Sequence, residues 1–201
     1  MEKINPRLRA ILFDMDGTIT RPTLDFDRIR KEIGIPSPLL ENMIALEQGE
    51  TRDRAFSLLE QFEEEAARTS ELNRGVRDIL QEMKKENIPT GLITRNSRAS
   101  VETTLTRHNL HFDAIRSRED GPVKPDPAAL YAICAELNIL PEECLFVGDY
   151  RYDIEAGKNA GTRTALLTNG TPPGYLDVID PDFVLQEFSE LKPILDQMTK
   201  R

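Results

Sequence analysis

The sequence predicts an α/β fold, a parallel β-sheet sandwiched by helices, with a small α-helical module inserted after the first strand. Three observations predict it. Short apolar runs alternate with helical patterns over most of the chain, the signature of βαβ units feeding a parallel sheet. One stretch, from Arg21 to about Asn73, has no strand-like run and carries only helical periodicity. At 201 residues the chain has room for one ordinary α/β domain plus a modest insertion, and it buries a core without staples. The expected organisation is therefore a core of residues 1–20 and 74–201, interrupted by a helical module at 21–73.

Taken in order, strands are expected at Ala10–Asp14, Thr90–Thr94, Ala114–Ser117, Cys144–Gly148, Arg163–Thr168 and Phe183–Leu185. Between them Val76, Ile79, Leu80 and Met83, then Leu130, Ile133, Cys134 and Leu137, repeat at i, i+3, i+4, i+7 and give helices with one buried face. Inside the module, Ile29/Ile33, Leu39/Leu40/Met43/Ile44 and Leu58/Leu59/Phe62 mark three amphipathic helices. Ile35-Pro-Ser-Pro separates the first two, and Gln48-Gly49-Glu50-Thr51 the second from the third. The run Glu63-Glu64-Glu65 reads as a solvated helix face.

Composition narrows the function classes. An apolar fraction of 39% and a charged fraction of 30% are those of a soluble globular protein. A net charge of −9 repels a nucleic-acid backbone or an anionic membrane, and no Lys/Arg run reverses that locally. No nucleic-acid or membrane partner is expected, and the chain is expected to act as a monomer or homodimer. The stretch Met1 to Arg9 lacks an apolar core for a signal peptide, and no apolar run approaches the ~18 residues of a membrane span. A cytoplasmic location follows, with Cys134 and Cys144 as reduced core residues.

The chemistry sits at strand ends. The first strand runs into Phe13-Asp14-Met15-Asp16-Gly17-Thr18, two carboxylates two residues apart where a parallel strand delivers side chains to its carboxyl-end crevice. Thr94 follows Thr90-Gly-Leu-Ile. Lys124 lies in Gly121-Pro-Val-Lys-Pro-Asp-Pro127, ahead of a helix. Asp149 and Asp153 lie in Gly148-Asp149-Tyr150-Arg151-Tyr152-Asp153, directly after the fourth strand. Each has a plain structural reading too: a turn at Asp14-x-Asp16-Gly17-Thr18, a helix cap at Thr94, a surface charge at Lys124, and helix N-terminal charges at Asp149 and Asp153. Jointly those readings require four coincidences.

The set resembles the four motifs of the haloacid dehalogenase (HAD) superfamily, and within it the phosphoglycolate-phosphatase-like branch. The resemblance covers nearly the whole chain, and that branch carries its helical cap where the module is inserted here. It implies a Rossmann-like sheet and a phosphatase acting on a small phosphorylated metabolite through an aspartyl-phosphate, with phosphoglycolate as the first substrate to consider. It also implies a Mg²⁺ ion held by the Asp14 and Asp149 side chains and the Asp16 main-chain carbonyl. Charge alone calls for cations: two unit charges 4 Å apart repel by about 4 kcal/mol at an effective dielectric of 20, and several such pairs meet here. Hard oxygen ligands suit Mg²⁺.

In this scheme Asp14 is the nucleophile and Asp16 the general acid and base. Lys124 pairs with the phosphate and with Asp14 or Asp153, the latter in a supporting role. Thr94, by its hydroxyl and a neighbouring backbone N–H, holds a phosphate oxygen at the start of the following helix. Arg95 stands where many relatives have Asn; as a phosphate-side residue it reaches the substrate's charge, or else it salt-bridges to the cap. Arg21, Arg52 and Arg54 are candidates for an anionic substrate tail, with a solvated surface as their plainer reading. His108 and His111 read as ordinary surface or packing residues. Asp16 argues against a dehalogenase. A sugar-phosphate mutase of the β-phosphoglucomutase type shares all these residues and stays open, as does a catalytically idle binding protein.

Overall fold

The computed structural model describes residues 7–199; residues 1–6, part of the stretch read for a leader, lie outside them. Among the described residues no helix is long and apolar enough to cross a membrane. The backbone divides into two compact units, Met1–Pro22, Glu71–Arg95 and Leu110–Arg201 on one side, Thr23–Ser70 and Asn96–Asn109 on the other.

The first unit holds six strands, β1 (Ala10–Phe13), β2 (Thr90–Ile93), β3 (Ala114–Arg116), β4 (Cys144–Gly148), β5 (Arg163–Leu167) and β6 (Phe183–Leu185). They form one parallel sheet in the order β3-β2-β1-β4-β5-β6, as the alternation predicts. Four of the expected strands end one residue early, leaving Asp14, Thr94, Ser117 and Thr168 just past the sheet. β1 is flanked on both sides, Phe13 lying opposite Leu92 of β2 and Val147 of β4. All four of its residues are buried, which is why its sequence is a continuous apolar run rather than an alternation.

Helices α4 (Val76–Lys85), α6 (Ala128–Glu136), α7 (Arg151–Ala160) and α8 (Leu191–Thr199) belong to the same unit. On one sheet face Leu12, Ile93 and Phe146 pack with Leu130 and Ile133 of α6 and Ala156 of α7. Elsewhere Phe13 stacks on Phe188, ring centres 5.7 Å apart, and meets Phe112 edge-on at 6.3 Å. Cys134 and Cys144 are buried and free, their sulfurs 3.5 Å apart. This packing fixes β1 and β4, and therefore whatever their carboxyl ends carry.

The second unit contains α1 (Phe26–Ile33), α2 (Leu39–Ala45), α3 (Glu50–Thr69) and α5 (Arg98–His108). Asp25 caps α1 by accepting from the Arg28 N–H at 3.0 Å, and Gly34 closes it. Ile29, Leu40, Met43, Ala55, Leu59 and Ala67 are buried. The acidic run on α3 is not the solvated face expected of it. Glu63 is only 3% exposed; its Oε2 accepts the Ser97 N–H at 3.0 Å, and its carbonyl accepts the Ser100 hydroxyl at 3.3 Å. A carboxylate there satisfies a donor at the start of α5 and suits the positive end of that helix. Glu64 accepts the Thr103 hydroxyl at 3.0 Å, leaving Glu65 as the exposed member. His108 ends α5 with Nε2 2.8 Å from the Ser70 hydroxyl, a packing role, and His111 is exposed.

Candidate active site

The carboxyl ends of β1 and β4 lie side by side, so Asp14 and Asp149, the first residues past each strand, face the same space. Asp153 joins them from the first turn of α7, and one carboxylate oxygen from each of the three lies within 4.8 Å of the others. Lys124 reaches in from the loop before α6. It is 2% exposed, and its Nζ pairs with Asp14 Oδ1, donates to Asp153 Oδ1 at 2.6 Å and to the Ile93 carbonyl at 3.0 Å. The surface reading of Lys124 therefore fails.

Two glycines make the approach possible. Gly17 has φ +82°, and a Cβ there would stand 1.9 Å from Asp149 Oδ2; Gly148 leaves room for Asp153, whose Cβ would lie 2.2 Å from an added methyl. The loop after β1 thus closes directly onto the Asp149 carboxylate. Its shape is held by amides. Asn73 donates to the carbonyls of Gly17 (3.1 Å) and Thr18 (2.8 Å), and Asn169 donates to the Gly17 carbonyl at 2.8 Å.

Burial pushes the Asp14 carboxyl up to about 7; Lys124 pulls the other way, and Asp153 and Asp16 add to the rise. Asp149 is raised well above the usual range, again by burial first and then by Asp14 and Asp153. Burial works against the Lys124 charge, but Asp14 and Asp153 outweigh it and its pKa is raised. One ammonium is therefore too little positive charge for this cluster, and a further cation fits. Hard carboxylate oxygens, and a backbone cradle that any side chain at residue 17 would fill, suit a divalent ion. Asp14 and Asp149 have carboxylate oxygens to spare for such an ion. Asp153 has one oxygen on Lys124 and the other on the Tyr150 N–H at 2.9 Å, so it holds the lysine and caps α7.

Asp16 is half-buried beside the cluster, its Oδ1 accepting the Thr20 hydroxyl at 3.2 Å. Thr94 is buried next to Ile93, the residue whose carbonyl holds Lys124. Its own N–H goes to the Arg116 carbonyl at 2.9 Å, and the cap of α5 is Ser97, three residues on. Thr94 is thus not a helix cap, and a main-chain donor for an anion has to come from the residues after it. Arg95 lies over the Tyr152 ring, 4.7 Å from its centre. The other arginines are engaged locally: Arg21 with Glu71 at 3.5 Å, and Arg52 with the Leu46 carbonyl at 3.2 Å and the Phe56 ring, while Arg54 is exposed.

The sequence reading missed Asn73, Asn169 and Tyr152. Asn169 had a legible signal, since it follows the end of β5 on the same sheet edge as Asp14 and Asp149. Asn73 carries no such signal; in the sequence it marks only the end of the helical module.

Comparison with known proteins decides the family. The family model for haloacid dehalogenase-like hydrolases matches residues 22–167, a span that takes in Thr94, Lys124, Asp149 and Asp153. The chain belongs to this family. It is 31% identical to pyrophosphatase PpaX of Bacillus cereus, over 96% of this chain and 99% of that one. Among solved structures it resembles a hydrolase from Pseudomonas syringae, with a TM-score of 0.79 at 21% identity, covering 96% of this chain and 100% of the other. A "predicted phosphoglycolate phosphatase" from Haemophilus somnus superposes with a TM-score of 0.71 at 22% identity, over 93% and 97% of the two chains. These two likenesses speak for the fold. The expected HAD-like α/β fold and the expected enzyme class, a phosphatase of this superfamily, both stand.

Proposed function

We propose that the chain is a Mg²⁺-dependent phosphomonoester hydrolase working through an aspartyl-phosphate on Asp14. The observation that carries this reading is the Lys124 ammonium, buried and shared between Asp14 and Asp153 beside Asp149. A lysine so placed is costly to bury unless its partners need it charged.

The Asp14 and Asp149 side chains, with the Asp16 carbonyl by the resemblance, would hold the Mg²⁺, which would offset the carboxylates' charge and that of the incoming phosphate. Lys124 and the Thr94 hydroxyl bind the remaining phosphate oxygens and turn the phosphorus toward Asp14. The Asp14 carboxylate forms a bond to phosphorus as the bond to the ester oxygen breaks, and Asp16 gives its proton to the departing alkoxide. A water then attacks the phosphorus, Asp16 takes the water's proton, and orthophosphate leaves with Asp14 restored. The Asn73 and Asn169 amides keep the Asp14–Thr18 loop in the shape that separates the two aspartates' tasks.

By the resemblance, residues 21–73 correspond to the helical cap of this branch and residues 1–20 and 74–201 to its core, and the role of such a cap is to exclude water from the acyl phosphate. Phosphoglycolate is the first substrate to try. The relative named a pyrophosphatase is a reason to try pyrophosphate as well. Free thiols 3.5 Å apart fit the reducing cytoplasm. Phosphate release from p-nitrophenyl phosphate, measured with and without Mg²⁺ and then across a panel of phosphorylated metabolites, tests the reading. Metal-dependent turnover is expected, and its absence on every compound would leave an idle binding protein.

A further inference from the structure

At the amino edge of the sheet, away from the acidic cluster, two thiols face each other. Cys134 lies in the last turn of α6, and Cys144 opens β4, paired there with Ala10 at the start of β1. Both are free and buried, packed with Ile133, Ile139, Phe146 and Ala160, and their sulfurs are 3.5 Å apart. A disulfide needs about 2.05 Å, so closing the gap takes roughly 1.5 Å, shared between two side chains.

The contact makes the two sulfurs unequal. Cys134 is lowered from the usual thiol range, first because a hydrogen bond from Cys144 supports its thiolate, while the same contact and then burial push Cys144 up. Cys134 is thus the sulfur that ionises first, and Cys144 the one that keeps its proton. Arg163, opposite Leu145 on β5, is near enough to favour a Cys144 thiolate in turn. The structure that adjoins the pair is slight. Cys144 Sγ donates to the Leu140 carbonyl at 3.5 Å, and Leu140, 57% exposed, begins the single 3₁₀ turn Pro141–Glu143. That turn is closed by the Leu140 N–H on Glu143 Oε2 at 2.9 Å and tied to Arg9 at 3.2 Å. Opening one surface turn costs far less than global unfolding and admits a molecule little larger than water.

We propose that Cys134 and Cys144 form a modification site, a dithiol that a small peroxide converts reversibly to an intramolecular disulfide. The Cys134 thiolate attacks a peroxide oxygen; the O–O bond breaks, hydroxide leaves and takes up a proton as water, and Cys134 becomes a sulfenic acid. The Cys144 sulfur then attacks Cys134 Sγ, and its proton departs with the hydroxyl as a second water. One dithiol and one hydrogen peroxide thus give one disulfide and two waters. The bond ties the end of α6 to the start of β4, the elements that follow Lys124 and precede Asp149, and it keeps Cys134 from the irreversible sulfur acids. The site is independent of the phosphatase reading.

The test uses the full reduced chain and hydrogen peroxide alone, at a dose that leaves the five methionines unoxidised. After an acid quench and alkylation in denaturant, the wild type should be a monomer that has lost two hydrogens and both alkylatable thiols, and a dithiol reductant should restore both. Cys144→Ala should instead carry Cys134 to the sulfinic acid, two oxygens heavier and beyond rescue by the reductant. The oxidised wild type should melt higher than the reduced form, by about 5 °C or more, because the bond closes a loop in the unfolded chain whose ends are ten residues apart. Wild-type thiols that stay alkylatable until the methionines oxidise, a sulfinic acid in the wild type, or a disulfide between two chains overturns the assignment. So does a Cys144→Ala chain whose Cys134 remains a thiol, or an oxidised wild type that melts no higher than the reduced one.

Discussion

The two edges of the one sheet use the same residue, aspartate, to opposite ends. At the amino edge, Asp113 precedes β3 and Asp182 precedes β6, the two outermost strands. Asp113 Oδ2 accepts the Thr90 N–H at 2.7 Å and the Thr90 hydroxyl at 3.3 Å; Asp182 Oδ2 accepts the Thr164 N–H at 2.8 Å and its hydroxyl at 2.9 Å. Each locks the start of an outer strand to its inner neighbour. At the carboxyl edge, Asp14 and Asp149 crowd together, and burial pushes both upward, whereas donors bring Asp182 below its usual value. Acids given donors hold the fold, and acids given one another wait for a cation.

Breaking the carboxyl edge should have the largest effect. Asp14→Asn keeps the shape and removes the nucleophile, so turnover of p-nitrophenyl phosphate should fall by about 10³-fold or more, while the fold, read by circular dichroism, is retained. Full activity in this variant would end the nucleophile assignment. Asp16→Ala should slow formation and breakdown of the phospho-enzyme by about 10²-fold or more, visible in single-turnover phosphate release.

Lys124→Met leaves three carboxylates without their ammonium, and loss of one partner of a buried charge group costs roughly 3–5 kcal/mol. A thermal midpoint lower by about 10 °C or more is expected, together with loss of activity; an unchanged midpoint would mean that Lys124 is not the counterion of the cluster. The metal effect is smaller. Mg²⁺ at about a hundred times its Kd should stabilise the protein by about 2.7 kcal/mol, read as a rise in thermal midpoint, and Asp149→Asn should remove most of that rise. Chelator should abolish turnover reversibly.

These sites were legible in the sequence to the degree that they were local. β1 and β4 announce themselves because strands buried on both faces are continuous apolar runs, and the polar residue just past each one is the proposed site residue. The one-residue overrun at Asp14, Thr94, Ser117 and Thr168 has one cause: pairing stops where the chain turns out of the sheet, and residue type does not mark that point. Glu63 was misread because the donor that it satisfies, the Ser97 N–H, is 34 residues away, and local charge pattern carries no record of it. α5 escaped the periodicity argument because its buried face is Ser100, Val101 and Thr104, small and largely polar. Asn73 braces the Asp14 loop through backbone carbonyls, which have no sequence signature, and Asn169, which does the same, is marked only by its place just past β5.

The amino edge supplies the smallest expected effect and the control for the others. Asp182→Asn trades an oxygen that accepts from Thr164 and from Lys158 at 3.2 Å for a neutral amide oxygen, at a side chain about a third exposed. Solvent screening discounts the charge, so the loss is about 1 kcal/mol at neutral pH, mostly the weakened bond to the Thr164 N–H. Partial burial pushes the Asp182 carboxyl upward, but the Thr164 N–H, the Thr164 hydroxyl and Lys158 together bring it below the usual carboxylate value. A carboxylate held below its unfolded value adds stability that is fully present above about pH 3.8 and is lost as pH falls through the folded value. Denaturation curves of wild type and Asp182→Asn should therefore differ at pH 7 and converge in acid, while kcat/KM at neutral pH changes little. A variant that lost activity out of proportion to its stability would show that the two edges are coupled through β5, and that the separation of fold-holding from catalytic aspartates is incomplete.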